Sequence, residues 1–194
     1  RSVPMQELLN EAKRLASEGV KELVLVAQET TLYGKDLTGE KQLPLLLHEL
    51  CKIEGIEWIR LLYCYPEEIT DELIKVIKTE EKVCNYIDMP IQHSENRILQ
   101  RMGRRTSRED LVAVIKKLRK EIPDITIRTT LITGFPGESQ EDHEGLMNFV
   151  EECQFDRLGV FTYSPEEDTL AATFEDQIDE EVKEERRDEL MSLQ

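Results

Sequence analysis

The chain has 194 residues, with 25 lysines and arginines against 41 aspartates and glutamates, a formal net charge of −16, and 39% hydrophobic residues. That length suits one domain with a real core, and no apolar run approaches the ~20 residues of a membrane span. Arg1-Ser2-Val3-Pro4 leads straight into an amphipathic pattern rather than a signal peptide. Cys51, Cys64, Cys84 and Cys153 lack the close spacing of a metal knuckle or redox pair, as expected of reduced packing residues in a cytoplasmic protein.

Met5, Leu8, Leu9, Ala12, Leu15 and Ala16 recur at helical spacing, and Gly19 ends the run. ELVLVAQETT follows as a continuous apolar strand of the kind buried on both faces of a parallel sheet. A leucine-rich helix over 43–52 leads to the strand EWIRLLYCYP. Thr70 then caps a helix that leads to the strand CNYIDMPIQH. A short helix is expected around Arg97. A longer one opens on the capping box Ser107-x-x-Asp110 and buries Leu111, Val114, Ile115 and Leu118. The strand RTTLITG ends abruptly in Phe-Pro-Gly-Glu. A second box, Ser139-x-x-Asp142, opens a helix that buries Leu146, Phe149, Val150 and Cys153 before the strand RLGVFTYSPEE. Helices alternating with strands five times imply right-handed βαβ units and a parallel sheet, an α/β fold.

The chain opens on a helix where such a fold would open on a strand. It closes on a charged helix whose thin apolar stripe is Ile178, Val182, Leu190 and Leu193. The expected division is a core over 1–174 and a linker helix over 175–194, cut from a longer protein. Charge is uneven: nine basic residues between Arg97 and Lys120 face only Glu109 and Asp110, while twelve acidic residues crowd 166–189. The basic run reads either as a solvated helix face or as local contact with RNA or an anionic cofactor.

In parallel βα folds, ligands bind beyond the carboxyl ends of the strands. The five exits here are Gln28-Glu29-Thr30-Thr31, Tyr63-Cys64-Tyr65-Pro66, Pro90-Ile91-Gln92-His93, Gly134-Phe135-Pro136-Gly137-Glu138 and Tyr163-Ser164-Pro165. Polar groups at all five, four of them with proline, favour a built site over strands that merely end in something polar. Gly134 and Gly137 allow a sharp turn or close backbone approach, and Pro136 stiffens it.

AQETTLYGKDL, LYCYPEEIT, DMPIQHSENRILQRMGRRTSREDL, RTTLITGFPGES and FDRLGVFTYSPEEDTLAA together resemble the radical S-adenosylmethionine methylthiotransferases over nearly the whole chain. The wording is nearest the branch that modifies an aspartate in the decoding-centre protein of the small ribosomal subunit. The resemblance implies a partial (βα)6 barrel whose first strand and three-cysteine cluster loop precede Arg1. The implied cofactors are [4Fe-4S] clusters and S-adenosylmethionine, which the cluster cleaves to a 5′-deoxyadenosyl radical. A TRAM-like β-barrel would follow the final helix. None of the four cysteines present matches a cluster ligand, so no metal site is expected here, and no catalytic residue is assigned.

Residue by residue, the resemblance places Gln28, Glu29 and Thr30 at the cofactor's amino group, with only Glu29 keeping the usual acidic turn. It gives Gln92 and Arg104, the latter in the following helix, to the ribose and carboxylate. Thr130 stands where many relatives have an aspartate near the ribose. Gly134 shapes backbone near the adenine, and Glu138 holds that turn. Tyr63, Tyr65, His93 and Tyr163 would form a polar rim toward the substrate. Each also has a plainer reading: Arg104 as one of several surface arginines, His93 as a structural histidine, the tyrosines as core-edge aromatics. The implied partner is the ribosomal protein, with possible ribosome or RNA contact and no membrane. Two rival readings are a tRNA adenosine methylthiotransferase and a non-catalytic RNA-binding module that would use only the basic run.

Overall fold

The computed structural model describes all 194 residues. Five strands alternate with helices: α1 (Met5–Ser17), β1 (Glu22–Leu25), α2 (Lys35–Thr38), α3 (Leu43–Cys51), β2 (Trp58–Leu61), α4 (Asp71–Thr79), β3 (Tyr86–Asp88), α5 (Asn96–Arg101), α6 (Arg108–Glu121), β4 (Thr126–Thr133), α7 (Gln140–Cys153), β5 (Arg157–Thr162) and α8 (Glu180–Ser192). They fall into two compact units. The first holds Arg1–Met89 and Lys117–Thr126, the second Pro90–Lys116 and Ile127–Gln194.

In the first unit β1 and β2 pair in parallel, from Glu22 opposite Trp58 to Leu25 opposite Leu61. Beyond β2, Ile59 bridges Val83, and the Cys64 N–H donates to the Asp88 carbonyl at 2.9 Å. Leu43, Leu47 and Leu50 of α3, Ile59 and Leu61 of β2, and Leu73 and Ile77 of α4 are buried together with Ile87. Each such side chain stabilises the unit by about 1.5–3 kcal/mol. The first strand departs from expectation. It stops at Leu25, and Val24 and Val26 are 47% and 59% exposed, so only one face is covered. The other two long strand readings shorten as well, because Tyr63 (φ 56) and Gln92 (φ 71) turn into the left-handed region and leave the extended path.

In the second unit β4 and β5 pair in parallel, from Arg128 opposite Arg157 to Thr133 opposite Thr162. Alternate residues of β4 are fully covered, among them Ile127, Thr129, Leu131 and Thr133. Both capping boxes form: Ser107 and Asp110 exchange hydrogen bonds before α6, and Ser139 and Asp142 do so before α7. On α7, Leu146 and Phe149 are fully buried; Phe149→Ala would cost about 3–5 kcal/mol. On α6, Val114 is only half-buried beside the fully covered Leu111 and Ile115.

The last helix packs on β5 and α7. Its inward face is not the expected apolar stripe. Lys183, Arg186 and Leu190 are buried, while Ile178, Val182 and Leu193 are only partly covered. Partners deeper in the unit draw the two cations inward.

Candidate functional site

A cavity of about 640 Å³ opens in the second unit, its wall including Gln92, Arg101, Arg104, Thr130, Phe161 and Tyr163. Gln92 is held by its backbone: its N–H donates to the Thr130 carbonyl at 3.0 Å, and its carbonyl accepts from Ile132 N–H at 2.8 Å. The left-handed turn at Gln92 costs about 1–2 kcal/mol for a residue with a side chain. That turn leaves Gln92 Oε1 buried with no protein partner. Tyr163 follows β5 and is fixed by its N–H to the Thr133 carbonyl at 2.9 Å and by edge contact with Phe135, centroids 5.2 Å apart. Its hydroxyl is likewise buried without a protein partner. Two residues of this wall thus carry a buried oxygen without a protein partner, and each such oxygen costs roughly 1–3 kcal/mol until something hydrogen-bonds to it.

The arginines divide by their partners. Arg101 lies 4.6 Å from the Phe174 ring centroid and pairs with Asp176 at 2.7 Å. Arg108 pairs with Glu95 and donates to the Gly145 carbonyl at 3.0 Å. Arg97 pairs with Asp142 and reaches the Gly137 carbonyl at 2.8 Å. Arg104 sits not on a helix, as expected, but in the turn after α5, where its N–H closes on the Leu99 carbonyl at 2.8 Å. Its Nη2 donates to the Pro90 carbonyl at 3.3 Å, a contact that orients the guanidinium in the cavity wall.

Gln28, Glu29 and Thr30 line a separate groove of about 1080 Å³ in the first unit, together with the exposed Val24 and Val26. Glu29 accepts from the Thr31 N–H at 2.9 Å, from the Thr31 hydroxyl, and from the Tyr65 N–H at 3.1 Å. Burial pushes its carboxyl up, and these donors offset only part of that. Thr30 is spent on structure, its hydroxyl donating to the Leu62 carbonyl at 2.6 Å. Tyr63 is 45% exposed and Tyr65 half-buried, so both remain open to a rim role.

Three predicted site residues stand elsewhere. His93, expected on the rim, is fully buried. Its Nδ1 accepts from the Glu95 N–H, which leaves Nε2 directed at Glu138 Oε2, 3.4 Å away and too long for a good hydrogen bond. Glu138 is buried behind the cavity and not in its lining. It accepts from Gly134 N–H at 2.9 Å and from Arg186 at 2.8 Å. Burial pushes the Glu138 carboxyl up, but the His93 ring, the Arg186 guanidinium and the Gly134 N–H outweigh it and hold the pKa below the ordinary value. Gly134, at φ +70, has no room for a side chain, since a Cβ would come within 2.2 Å of Lys183 Cγ. These three are the scaffold of the β4 exit. Arg186 and Lys183 complete that scaffold from α8, and Phe161, 61% exposed, adds an aromatic face to the cavity; none of the three was singled out from the sequence.

The cysteines stand apart, on α3 (Cys51), after β2 (Cys64), before β3 (Cys84) and on α7 (Cys153), and no three His, Cys, Asp or Glu side chains converge to hold a metal ion. Burial pushes the Cys51 thiol up to about 11 and raises Cys64 and Cys84 as well, the reverse of what a thiolate ligand needs. An iron–sulfur cluster does not fit the residues present. No helix is long and apolar enough to cross a membrane.

Residues 1–150 match the Radical SAM superfamily. The whole chain is 64% identical to the ribosomal protein uS12 methylthiotransferase RimO of Lachnoclostridium phytofermentans and 59% identical to that of Clostridium perfringens. It spans 44% of the length of each of these relatives. Among solved structures, coproporphyrinogen III oxidase (HemN) from Escherichia coli superposes with a TM-score of 0.70 at 18% identity, over 97% of this chain and 44% of that one. The methyltransferase TsrM from Kitasatospora setae does so with a TM-score of 0.66 at 17% identity, over 82% of this chain and 31% of that one. Such likenesses show the fold, the α/β architecture of parallel strands on which these enzymes are built.

Proposed function

The chain belongs to the radical SAM superfamily, and from that premise we propose that it is the S-adenosylmethionine-binding core of a methylthiotransferase. Its substrate would be an aspartate of the decoding-centre protein of the small ribosomal subunit, met in the cytoplasm. The support for the activity and the partner is the 55–64% identity to relatives named for that reaction on uS12.

The observation that carries the cofactor reading is the pair of orphaned oxygens, Gln92 Oε1 and Tyr163 Oη, on two residues that line one cavity. A nucleoside sulfonium fits that wall. Its ribose hydroxyls would donate to Gln92 Oε1, with Thr130 alongside and the Tyr163 hydroxyl exchanging a hydrogen bond. The planar Arg104 guanidinium suits its carboxylate. Phe161 offers a face for its base. Gln28, Glu29 and Thr30, expected at its amino group, line the groove of the first unit and have no part in this wall. Gly134 and Glu138 act indirectly by fixing the turn that shapes the wall. When bound and reduced, the cofactor supplies a carbon radical able to take hydrogen from an unactivated C–H bond. This chain's residues would orient it, and the cluster's ligands would lie in the part of the protein beyond these residues.

A non-catalytic RNA-binding module is disfavoured because Arg97, Arg101 and Arg108 of the basic run are engaged by Asp142, Asp176 and Glu95 within the unit. The deciding experiment offers the full-length enzyme purified ribosomal protein and hypomodified tRNA side by side, with reductant and cofactor. The expected result is a mass gain of one methylthio group for hydrogen on the protein. A product on tRNA alone would transfer the reading to the tRNA branch.

A further inference from the structure

Helix α8 is acidic in composition yet turns two cations inward. Lys183 is 2% exposed and Arg186 7%. Taking cations out of water is costly, and an apolar pair such as the neighbouring Leu190 would close the same face without that penalty. Their contacts show what the charges do instead. Arg186 Nη1 donates to Glu138 Oε1 at 2.8 Å and to the Glu138 carbonyl at 3.1 Å. Glu138 in turn holds the Gly134 N–H and the Thr133 hydroxyl, so this arm ends on the β4 exit. Lys183 Nζ donates to the Tyr163 carbonyl at 3.1 Å and lies 5.5 Å from that ring's centroid, so the second arm ends on the β5 exit. The lysine stem also fills the space against Gly134.

The two exits carry adjoining parts of one wall, Phe135 from the first and Tyr163 from the second, their rings in edge contact with centroids 5.2 Å apart. We infer that Lys183 and Arg186 are positioning residues for the cofactor cavity, setting the separation of the β4 and β5 exits and so placing the Tyr163 hydroxyl. The inference rests on reading this cavity as the cofactor site. Neither side chain touches the cavity, so any effect on affinity must travel through Glu138 and Tyr163.

The test uses the full-length, cluster-loaded enzyme with S-adenosylhomocysteine as calorimetric probe, and urea unfolding measured without ligand. Lys183→Met keeps the stem and removes only the ammonium; Arg186→Met removes the guanidinium; Arg186→Lys restores a cation; Gln92→Ala reports on the cavity itself. Expected is a rise in Kd of about tenfold for both methionine variants, with most of the affinity kept by Arg186→Lys. A role in packing alone would lower the unfolding midpoint and leave the Kd of the folded protein where it was. If Arg186→Met does not fold, Lys183→Met and Arg186→Lys carry the comparison. Wild-type affinity in Lys183→Met beside a weakened Gln92→Ala overturns the positioning role and spares the cavity reading. Wild-type affinity in Gln92→Ala overturns both.

Discussion

Glu29 accepts the backbone N–H of Tyr65 at 3.1 Å, so one carboxylate ties the exit of β1 to that of β2. It also holds Thr31, whose N–H and hydroxyl meet the same side chain. A residue read from the sequence as a cofactor contact is thus the clasp of its own loop. Replacing it should lower the unfolding midpoint, which thermal unfolding would read.

Glu138 gives a pH signature. Its native pKa lies below the ordinary 4.5, so the ionised form is favoured by folding. The stability it contributes is complete above pH 4.5 and is lost as pH falls through the native value. Glu138→Gln removes that contribution and leaves Arg186 buried beside a neutral partner, at a cost of about 3–5 kcal/mol near pH 7. In urea unfolding across pH, the difference between wild type and variant should narrow below 4.5. A constant difference would show that Glu138 titrates normally. Glu29 has the opposite sign: its raised pKa contributes stability below 4.5 that disappears as pH climbs through the native value.

Arg104→Ala should weaken S-adenosylmethionine binding to the full-length enzyme by about 1.5–3 kcal/mol, the worth of a hydrogen bond to a charged group. Arg101→Ala and Arg108→Ala should instead lower the unfolding midpoint, since their charges are engaged by Asp176 and Glu95. Equal dissociation constants for the three, by calorimetry, would return Arg104 to a surface role.

Gly134→Ala meets two obstacles at once, a positive φ of 70° and the Lys183 stem. About 2–5 kcal/mol of destabilisation is expected from strain and overpacking combined. Thermal unfolding would check this. A loss below 1 kcal/mol would mean that α8 can move aside cheaply.

Purified alone, the 194-residue chain should bind no stoichiometric iron after anaerobic reconstitution, because its thiols are scattered and pushed toward the protonated form. Iron analysis and the visible charge-transfer spectrum report the outcome. A coloured cluster at full occupancy would overturn the assignment of ligands to other parts of the protein.

Local chemistry was readable in advance. Both capping boxes, the order of helices and strands, and the buried residues of α7 follow from spacing and hydrogen-bond capacity within a few positions. Strand ends were not, because Tyr63 and Gln92 leave the extended path without a glycine to signal it. The inward face of α8 was least legible. Whether Arg186 is buried depends on Glu138, 48 positions earlier, and no window along the chain contains both. Likewise, Gln92, Arg104, Thr130 and Tyr163 could be listed from strand exits and family resemblance. That they share one wall while Gln28, Glu29 and Thr30 line another is a property of the folded chain.

The unmet hydroxyl of Tyr163 sets stability against the proposed cofactor role. A chain favoured only for staying folded would carry phenylalanine at 163, which keeps the edge contact with Phe135 and removes a buried oxygen that no protein group satisfies. Tyr163→Phe should therefore raise the melting temperature of the free protein while loosening its grip on the cofactor. On the proposed reading, stability and cofactor binding pull in opposite directions at this one atom.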